Sequence, residues 1–263
     1  MTVIFRAKTS EGYILKILTE LLHNNVRTAC LKITEEGIQM RMMDSHRFVL
    51  IDILLQYANF NIYDLQQPEI FLGINLTHFY KMIKSIKKKD ALMLSIDDSQ
   101  PDILTMTILP RDNNRVVNST IRIQSIQHIN IPLPEGYSSQ PINIPSNEYQ
   151  TTIKDMHNIG DTLTIAIKKY SLNISCSAQG IFSRDVVFGE LDDDSEEHYR
   201  DNFNMEQFAR LSKLSGLSPS IQVYSGNKQC PLLIVAKVGG LGSISIYIKS
   251  QEQIRLDNST KAK

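Results

Sequence analysis

The 263-residue sequence predicts an α+β fold of two similar domains, and three observations predict it. A short amphipathic helix followed by strand-like runs recurs four times along the chain. The helix starts are separated by roughly 60 to 70 residues, the spacing of an internal repeat. The strands alternate apolar and polar residues, as in Ile121, Arg122, Ile123 and Gln124, which suits sheets with one covered face and one wet face.

The elements follow in order. Glu11 to Asn25 puts Ile14, Leu15, Leu18, Leu21 and Leu22 on one helical face. Cys30–Thr34, Ile38–Met43 and Phe48–Leu55 read as strands. Asn75 to Lys88 predicts a second helix, with Leu76, Phe79, Met82, Ile83 and Ile86 inward and Thr77 able to cap its start. Strands at Ala91–Ile96, Ile103–Leu109 and Val116–Ile126 come next. The second half repeats the order. Ser146 to Asn158 is helical, with Ser146 as N-cap after Pro145, and precedes Thr162–Ile167, Leu172–Ser177 and Asp185–Leu191. Asn204 to Leu214 is the fourth helix, ahead of Ser220–Tyr224, Leu232–Lys237 and Ser243–Lys249. A further strand before each helix (Val3–Ala7, Glu69–Gly73, Pro141–Ile144 and near Phe203) makes each unit βαβββ. Two units make a half. The halves are expected at 1–124 and 141–250, joined by a connecting loop at 125–140 and followed by a polar tail at 251–263. Pro132, Pro134 and Gly136 break regular structure in the loop.

Lys and Arg total 28 and Asp and Glu total 28, so the formal net charge is zero. That excludes a wholly basic coat for nucleic acid but not a basic face balanced by an acidic one. Cys30, Cys176 and Cys230 are an odd number, far apart and without CxxC spacing, which fits a reducing compartment better than a disulfide frame or zinc site. No apolar run reaches the roughly 18 to 20 residues of a membrane helix, and Met1 to Arg6 does not start a signal peptide. A soluble, intracellular protein with no membrane partner is expected.

Catalytic chemistry finds little support. Asp44, Ser45 and His46 have triad residue types, but three adjacent residues cannot point at one another as a triad requires. Gly239, Gly240 and Gly242 link two strands, whereas a phosphate loop needs a strand-to-helix junction. Asp192, Asp193, Asp194, Glu196 and Glu197 lack the spaced oxygen ligands of a calcium loop. The six histidines show no metal-ligand spacing. No enzyme activity, cofactor or metal is expected. The informative residues are cations on the outward helical faces. Lys81, Lys84 and Lys88 stand at i, i+3 and i+7, with Lys87 and Lys89 beside them. The first helix offers Lys16, the third Lys154, and the fourth Arg210 and Lys213. Such a stripe can be merely solvated; its fourfold recurrence favours diffuse contact with a phosphate backbone.

Against this background the chain resembles the proliferating cell nuclear antigen family of DNA sliding clamps, from Phe5 to about Lys249. The resemblance is carried by Glu36-Gly37-Ile38-Gln39-Met40 leading to Met43-Asp44-Ser45-His46, by Gly73-Ile74-Asn75-Leu76-Thr77, by Ile159-Gly160-Asp161, and by Pro231 to Val235 with Ile246-Tyr247-Ile248. It implies a clamp fold in which three chains form a ring, helices line the hole and antiparallel sheets form the outside. It implies ring closure through edge strands around Arg115–Ile123 and Asp185–Phe188, a heterologous contact that closes after three copies. It implies a DNA-facing lining of Lys16, Lys81, Lys84, Lys88, Lys154, Arg210 and Lys213, with family cation positions replaced by Ile17 and Thr151. It also implies a groove for partner peptides (PIP-box type) at Met43, Asp44, Arg47, Leu50, Ile131, Leu133, Pro134, Tyr137, Pro231 and Tyr247. Arg47 and Lys249 stand where the family has less positive residues, which shifts the expected peptide preference toward acidic ligands, and Ser119 stands at a frequent interface aromatic.

The implied function is a homotrimeric processivity factor for DNA replication and repair. It would encircle double-stranded DNA without sequence preference, tether a DNA polymerase and other peptide-bearing partners, and need a clamp loader. It would work in the nucleus, or at a viral replication site if a large DNA virus encodes it. The competing readings are a monomeric or dimeric electrostatic processivity factor, a subunit of a heterotrimeric checkpoint-type clamp, and an unrelated α+β enzyme using Asp44 or His46.

Overall fold

The structure is a computed structural model that describes residues 3–111, 115–137, 139–178, 180–191, 194–227 and 229–261. The chain divides into two compact units. Unit 1 comprises Met1–Met42, Ile51–Ile131 and Lys237–Ile244; unit 2 comprises Met43–Leu50, Pro132–Ala236 and Ser245–Lys263.

In unit 1 the chain runs through β1 (Val3–Thr9), α1 (Gly12–Asn25), β2 (Thr28–Thr34), β3 (Gly37–Met43) and β4 (Val49–Gln56). It continues through β5 (Ile62–Leu65), β6 (Glu69–Asn75), α2 (Leu76–Ile83), β7 (Ala91–Asp97), β8 (Ile103–Leu109) and β9 (Val117–Arg122). One sheet has the order β5-β1-β7-β8-β9, antiparallel throughout, so β9 is an end strand. In the other, β2 lies between β3 and β6, with Leu31 opposite Met40 on one side and Leu72 on the other. Strand residues alternate as the sequence pattern requires: Ala29, Leu31 and Ile33 of β2 are buried while Cys30, Lys32 and Thr34 are partly open. Helices α1 and α2 pack on each other, and Leu15, Leu18, Leu76 and Phe79 meet Leu31, Ile38 and Leu94 around an apolar void of about 50 Å3.

In unit 2 the elements are β10 (Ile142–Pro145), α3 (Ser146–His157), β11 (Thr162–Ile167), β12 (Ser171–Ala178), β13 (Phe182–Gly189) and β14 (Tyr199–Asn204). They are followed by α4 (Met205–Ala209), β15 (Ser220–Tyr224), β16 (Leu232–Val238), β17 (Gly242–Ile248) and α5 (Gln251–Lys261), the β16–β17 turn at Lys237–Ile244 belonging to unit 1. A four-stranded sheet has the order β13-β12-β11-β14, which makes β13 an end strand. β15 lies between β10 and β16. The core gathers Tyr149, Ile153 and Met156 of α3 with Phe203 and Phe208, whose rings meet edge-on at 5.4 Å and 74°. Full burial holds the Tyr149 hydroxyl far above its ordinary value, so the ring stays neutral.

The α+β fold and the fourfold order of helix then strands are as expected, with one strand more, β5, in the first stretch. Several elements differ, each for a physical reason. Helix α2 stops at Ile83 rather than Lys88. The chain turns there to bury Ile86, and the Asp90 carboxylate accepts the Lys87 amide at 2.9 Å. Met82, expected inward, is 37% exposed, because it stands about 100° around the helix from buried Ile83, at the edge of the apolar face. Thr77 does not cap α2; the Asn75 side chain accepts the His78 amide at 3.0 Å instead. Ser146 is the first helical residue rather than the cap, and its buried hydroxyl has no hydrogen-bond partner among the described residues. The fourth helix breaks after Ala209 into a 3₁₀ stretch at Ser212–Gly216. β13 starts and ends earlier than expected, at Phe182 and Gly189, and β9 is shorter, at Val117–Arg122. Strand β5 and helix α5 were not expected, the latter lying in the polar tail. Asp192 and Asp193 of the acidic loop lie outside the described residues; Glu197 of that loop pairs with Arg200 at 2.7 Å.

Two glycines hold the turns. Gly37 sits at φ 141°, where a Cβ would collide with the Leu55 carbonyl. Gly239, at φ 54°, opens the β16–β17 turn, and both carboxylate oxygens of Glu11 accept the amide of neighbouring Gly240, at 3.2 and 2.9 Å. The glycine-rich run is therefore a strand-to-strand turn.

Urea unfolding should separate the buried from the misassigned positions. Leu21→Ala, at a fully enclosed site in α1, should cost about 2–5 kcal/mol. Met82→Ser should stay within about 0.5 kcal/mol.

Candidate functional site

The helices place the expected cations unequally. On α2, Lys81 is exposed; Lys84 is the C-cap position, and Lys88 lies beyond the helix in the turn that ends at Asp90. The continuous i, i+3, i+7 stripe is therefore not formed. The cations instead crowd the C-terminal end of α2, where the helix dipole favours positive charge. Lys16 of α1 is half-buried: its ammonium donates to the Ile86 carbonyl at 3.1 Å and lies 5.3 Å from the Tyr13 ring centroid. It fastens α1 to the turn after α2 rather than reaching freely outward. Ile17 is buried in the core of unit 1.

In unit 2, Lys154 of α3 is exposed, while Thr151 turns its hydroxyl back to the Asn147 carbonyl at 3.0 Å. Arg210 donates to Glu206 at 3.1 Å, and His157 of α3 reaches the other Glu206 oxygen at 3.4 Å. The Glu206 carboxyl is held below its ordinary 4.5, chiefly by the Arg210 hydrogen bond, with His157 adding to it. Lys213 is half-buried in the 3₁₀ stretch after α4.

The expected partner groove falls into two groups. In unit 2, the Tyr137 ring lies 6.1 Å from Tyr247 and 6.4 Å from Tyr224, and its hydroxyl donates to the Pro231 carbonyl at 2.8 Å. Burial pushes the Tyr137 phenol far up, so it remains a neutral donor. The Cys230 thiol donates to the Glu135 carbonyl at 3.0 Å. Tyr137, Pro231 and Tyr247 are thus brought together, with Leu133 and Pro134 half-open on the loop. The turn after β3 is built on Asp44, whose Oδ1 accepts the amides of Phe48 and Val49 at 2.7 and 2.9 Å. That carboxylate is committed to the backbone, which leaves Arg47 as the exposed charge of the turn, held at a positive φ of 62°. Leu50 is buried and Met43 half-buried. Ile131 belongs to unit 1, where its carbonyl accepts Nη1 of Arg41 at 2.8 Å, and Arg41 also pairs with Asp52 at 2.7 Å.

Among the described residues no group of His, Cys, Asp and Glu could hold a metal ion, and no helix is long and apolar enough to cross a membrane.

Comparison with known proteins decides the family. Residues 4–130 match the family described as "Proliferating cell nuclear antigen, N-terminal domain". The chain is 23% identical over 254 residues to the proliferating cell nuclear antigen of Chaetomium thermophilum, covering 93% of this chain and 97% of that protein. It is 24% identical to the Dictyostelium discoideum protein of the same name, covering 93% and 98%, and 22% identical to a probable DNA polymerase sliding clamp of Paramecium bursaria Chlorella virus 1, covering 94% and 96%. The crystal structure of the Entamoeba histolytica antigen superposes with a TM-score of 0.83 at 20% identity, over 95% of this chain and all of that one. The chain belongs to the proliferating cell nuclear antigen family of DNA sliding clamps. Its members are non-enzymatic, so the Asp44 and His46 chemistry set aside above has no place here.

This clamp carries features that were not anticipated. Lys249 was expected to add positive charge beside the groove. Its ammonium is instead paired with Asp257 of α5 at 2.6 Å, so that charge is answered within the chain. Helix α5 begins with a reciprocal cap: the Ser250 amide donates to Gln253 Oε1 at 3.0 Å and the Gln253 amide donates to Ser250 Oγ at 3.2 Å. The Gln253 side chain then donates to the carbonyls of Asn227 and Cys230, at 2.9 and 3.0 Å. The same helix thus braces the loop on which Cys230 and Pro231 seat the connecting segment. The Ser250-x-x-Gln253 spacing was the available sequence signal for this helix.

Two outcomes are expected. Gln253→Ala should cost about 1–2 kcal/mol and speed amide hydrogen exchange over residues 225–231, measured by mass spectrometry. Glu206 has a folded pKa below its unfolded one, so its contribution is complete above about pH 4.5 and is lost as pH falls through the lowered value. Glu206→Gln should therefore lower stability by under about 1 kcal/mol at pH 7, since the pair is half-exposed, and by nothing measurable near pH 3.

Proposed function

We propose that this clamp works as a homotrimeric ring that encircles duplex DNA and holds a DNA polymerase at the primer end. The observation that carries this reading is the pair of open sheet ends. Among the described residues β9 and β13 each have a neighbour on one side only, as do β5, β6, β10 and β14; an unpaired strand edge invites another chain, and the exposed apolar side chains at β9 and β13 single these two out. The β13 end is also apolar where a monomer would be polar: Ile181 is 82%, Phe182 55% and Leu191 79% exposed. At the β9 end Val116 is exposed as well. An edge of one kind meeting an edge of the other in the next copy is a heterologous contact, which closes into a ring when the rotation allows.

The exposed cations Lys81, Lys84, Lys88 and Lys154, with Lys16, Arg210 and Lys213 as tethered or half-buried neighbours, would face the duplex. Diffuse phosphate contact suits a ring that must slide, and several of these charges are already partly committed inside the chain, which keeps the grip weak. Tyr137, Pro231, Tyr247, Leu133, Pro134 and the Asp44 turn would take apolar and aromatic anchors of a partner peptide. Tethering raises the partner's effective concentration on the template. A closed ring requires an external loader driven by ATP, and the setting is wherever DNA is replicated.

Light scattering across a dilution series should give about three times the 29.9 kDa chain mass. Phe182→Asp together with Ile181→Asp should drop the mass to one chain while leaving the circular dichroism spectrum unchanged. Retention on DNA should require a circular or end-blocked template. A single-chain mass for the unaltered protein at micromolar concentration, with tight salt-sensitive binding to short linear DNA, would overturn the ring and favour an electrostatic monomer.

A further inference from the structure

Unit 1 contains a hollow of about 250 Å3 that the clamp reading leaves without a role. Its floor is the open face of two strands, Cys30 and Lys32 of β2 with Gln39 and Arg41 of β3; its roof is His128, Ile129 and Asn130 of the connecting loop. The seven lining residues include two permanent cations, a histidine and two amides, and no carboxylate. Gln39 and Asn130 have no side-chain hydrogen-bond partner among the described residues. Arg41 commits Nε to Asp52 and Nη1 to the Ile131 carbonyl, which leaves Nη2 available. Lys32 stands 3.2 Å from Glu69 and 5.8 Å from the Phe71 ring centroid. Burial raises the Cys30 thiol, so it is neutral and does not repel an anion. The rim is apolar: Ile129 is 67% exposed, and Phe71, 39% exposed, packs against the His128 ring at 4.8 Å.

We propose that this hollow receives the side-chain carboxylate of an Asp or Glu in an extended partner segment lying along the connecting loop. The proposal rests on the reading that partners dock beside that loop. The chemistry is directional. Asp52 pairs with Arg41 at 2.7 Å and Glu69 with Lys32 at 3.2 Å, which offsets both charges and weakens the pull on a doubly charged phosphate. What remains is a set of N–H donors on Lys32, Arg41, Gln39 and Asn130, all lining the one hollow, which suits the two oxygens of one carboxylate. The apolar rim supplies the second reason for a peptide: Ile129 and Phe71 would cover the stem and neighbours of an acidic residue, which a free ion lacks. The acidic preference expected from Lys249 thus has a different seat, since Lys249 is already paired.

The test uses the full-length clamp and two fluorescent peptides with the same apolar and aromatic anchors, one flanked by Glu and one by Gln, read by anisotropy. The Glu-flanked peptide should bind about tenfold more tightly, the worth of one charged hydrogen-bonded contact. Gln39→Glu and Lys32→Gln should each erase that difference while leaving the Gln-flanked peptide's affinity unchanged, which also shows that the variants fold. Equal affinities for the unaltered clamp, or a difference that survives both substitutions, would overturn the carboxylate site while the docking reading stands. Failure of both peptides to bind would overturn the docking reading and this site with it. Inorganic phosphate that shifts the His128 and Asn130 NMR signals and abolishes the Glu preference would assign the hollow to a free anion instead.

Discussion

Everything in this chain depends on antiparallel sheets that are apolar on one face only. Alternation along β2, with Leu31 and Ile33 buried and Cys30 and Lys32 open, sends one set of side chains under the helices and the other to solvent. Two short helices per unit suffice to cover the apolar side because each turns nearly all its large apolar residues to one face. The opposite sheet face is thereby free to carry polar hollows and the connecting loop. The price of building with open sheets is edges, and β9 and β13 are two of the ends the sheets leave among the described residues.

Charge is the second theme. A net charge of zero hides a good deal of local pairing. Glu206 answers Arg210 and His157, Asp257 answers Lys249, and Asp52 answers Arg41. The exposed pairs among them add little stability individually, whereas Arg41 and Asp52, at 19% and 15% exposed, form a largely enclosed pair. Their effect is to decide which cations remain for a partner. On α2, α3 and the turn after α2 these include Lys81, Lys84, Lys88 and Lys154. On the open sheet face Lys32 and the outer nitrogen of Arg41 keep donors available although their charges are offset.

The connecting loop is held by hydrogen bonds to its backbone carbonyls and from its Tyr137 side chain rather than by packing alone. Arg41 takes the Ile131 carbonyl in unit 1; Cys230 takes the Glu135 carbonyl and Tyr137 gives its hydroxyl to Pro231 in unit 2. Each bond fixes a point of a segment without secondary structure of its own, and the prolines between them limit its freedom. A pre-set loop of this kind loses less entropy when a ligand orders against it. Helix α5 extends the same support from behind through Gln253.

The sequence by itself determined the four βαβββ stretches, because helical and strand periodicity are local and recur at a regular interval. It determined most of the inward face of α1, and the turn at Gly239, for the same reason. It pointed to the aromatic and proline residues around the loop only through resemblance. The tertiary structure decided what local pattern cannot carry. Helix α2 stops at Ile83 because Ile86 and Asp90 find burial elsewhere, so an apparently continuous lysine stripe is broken. Lys16 and Lys249 looked free because their partners, the Ile86 carbonyl and Asp257, are separated from them by a fold or a helix turn that no single window reveals. The hollow at Lys32 and Arg41 was invisible for a related reason: its residues come from two strands and a loop about 90 positions away, and only the sheet register and the path of the loop bring them to one place.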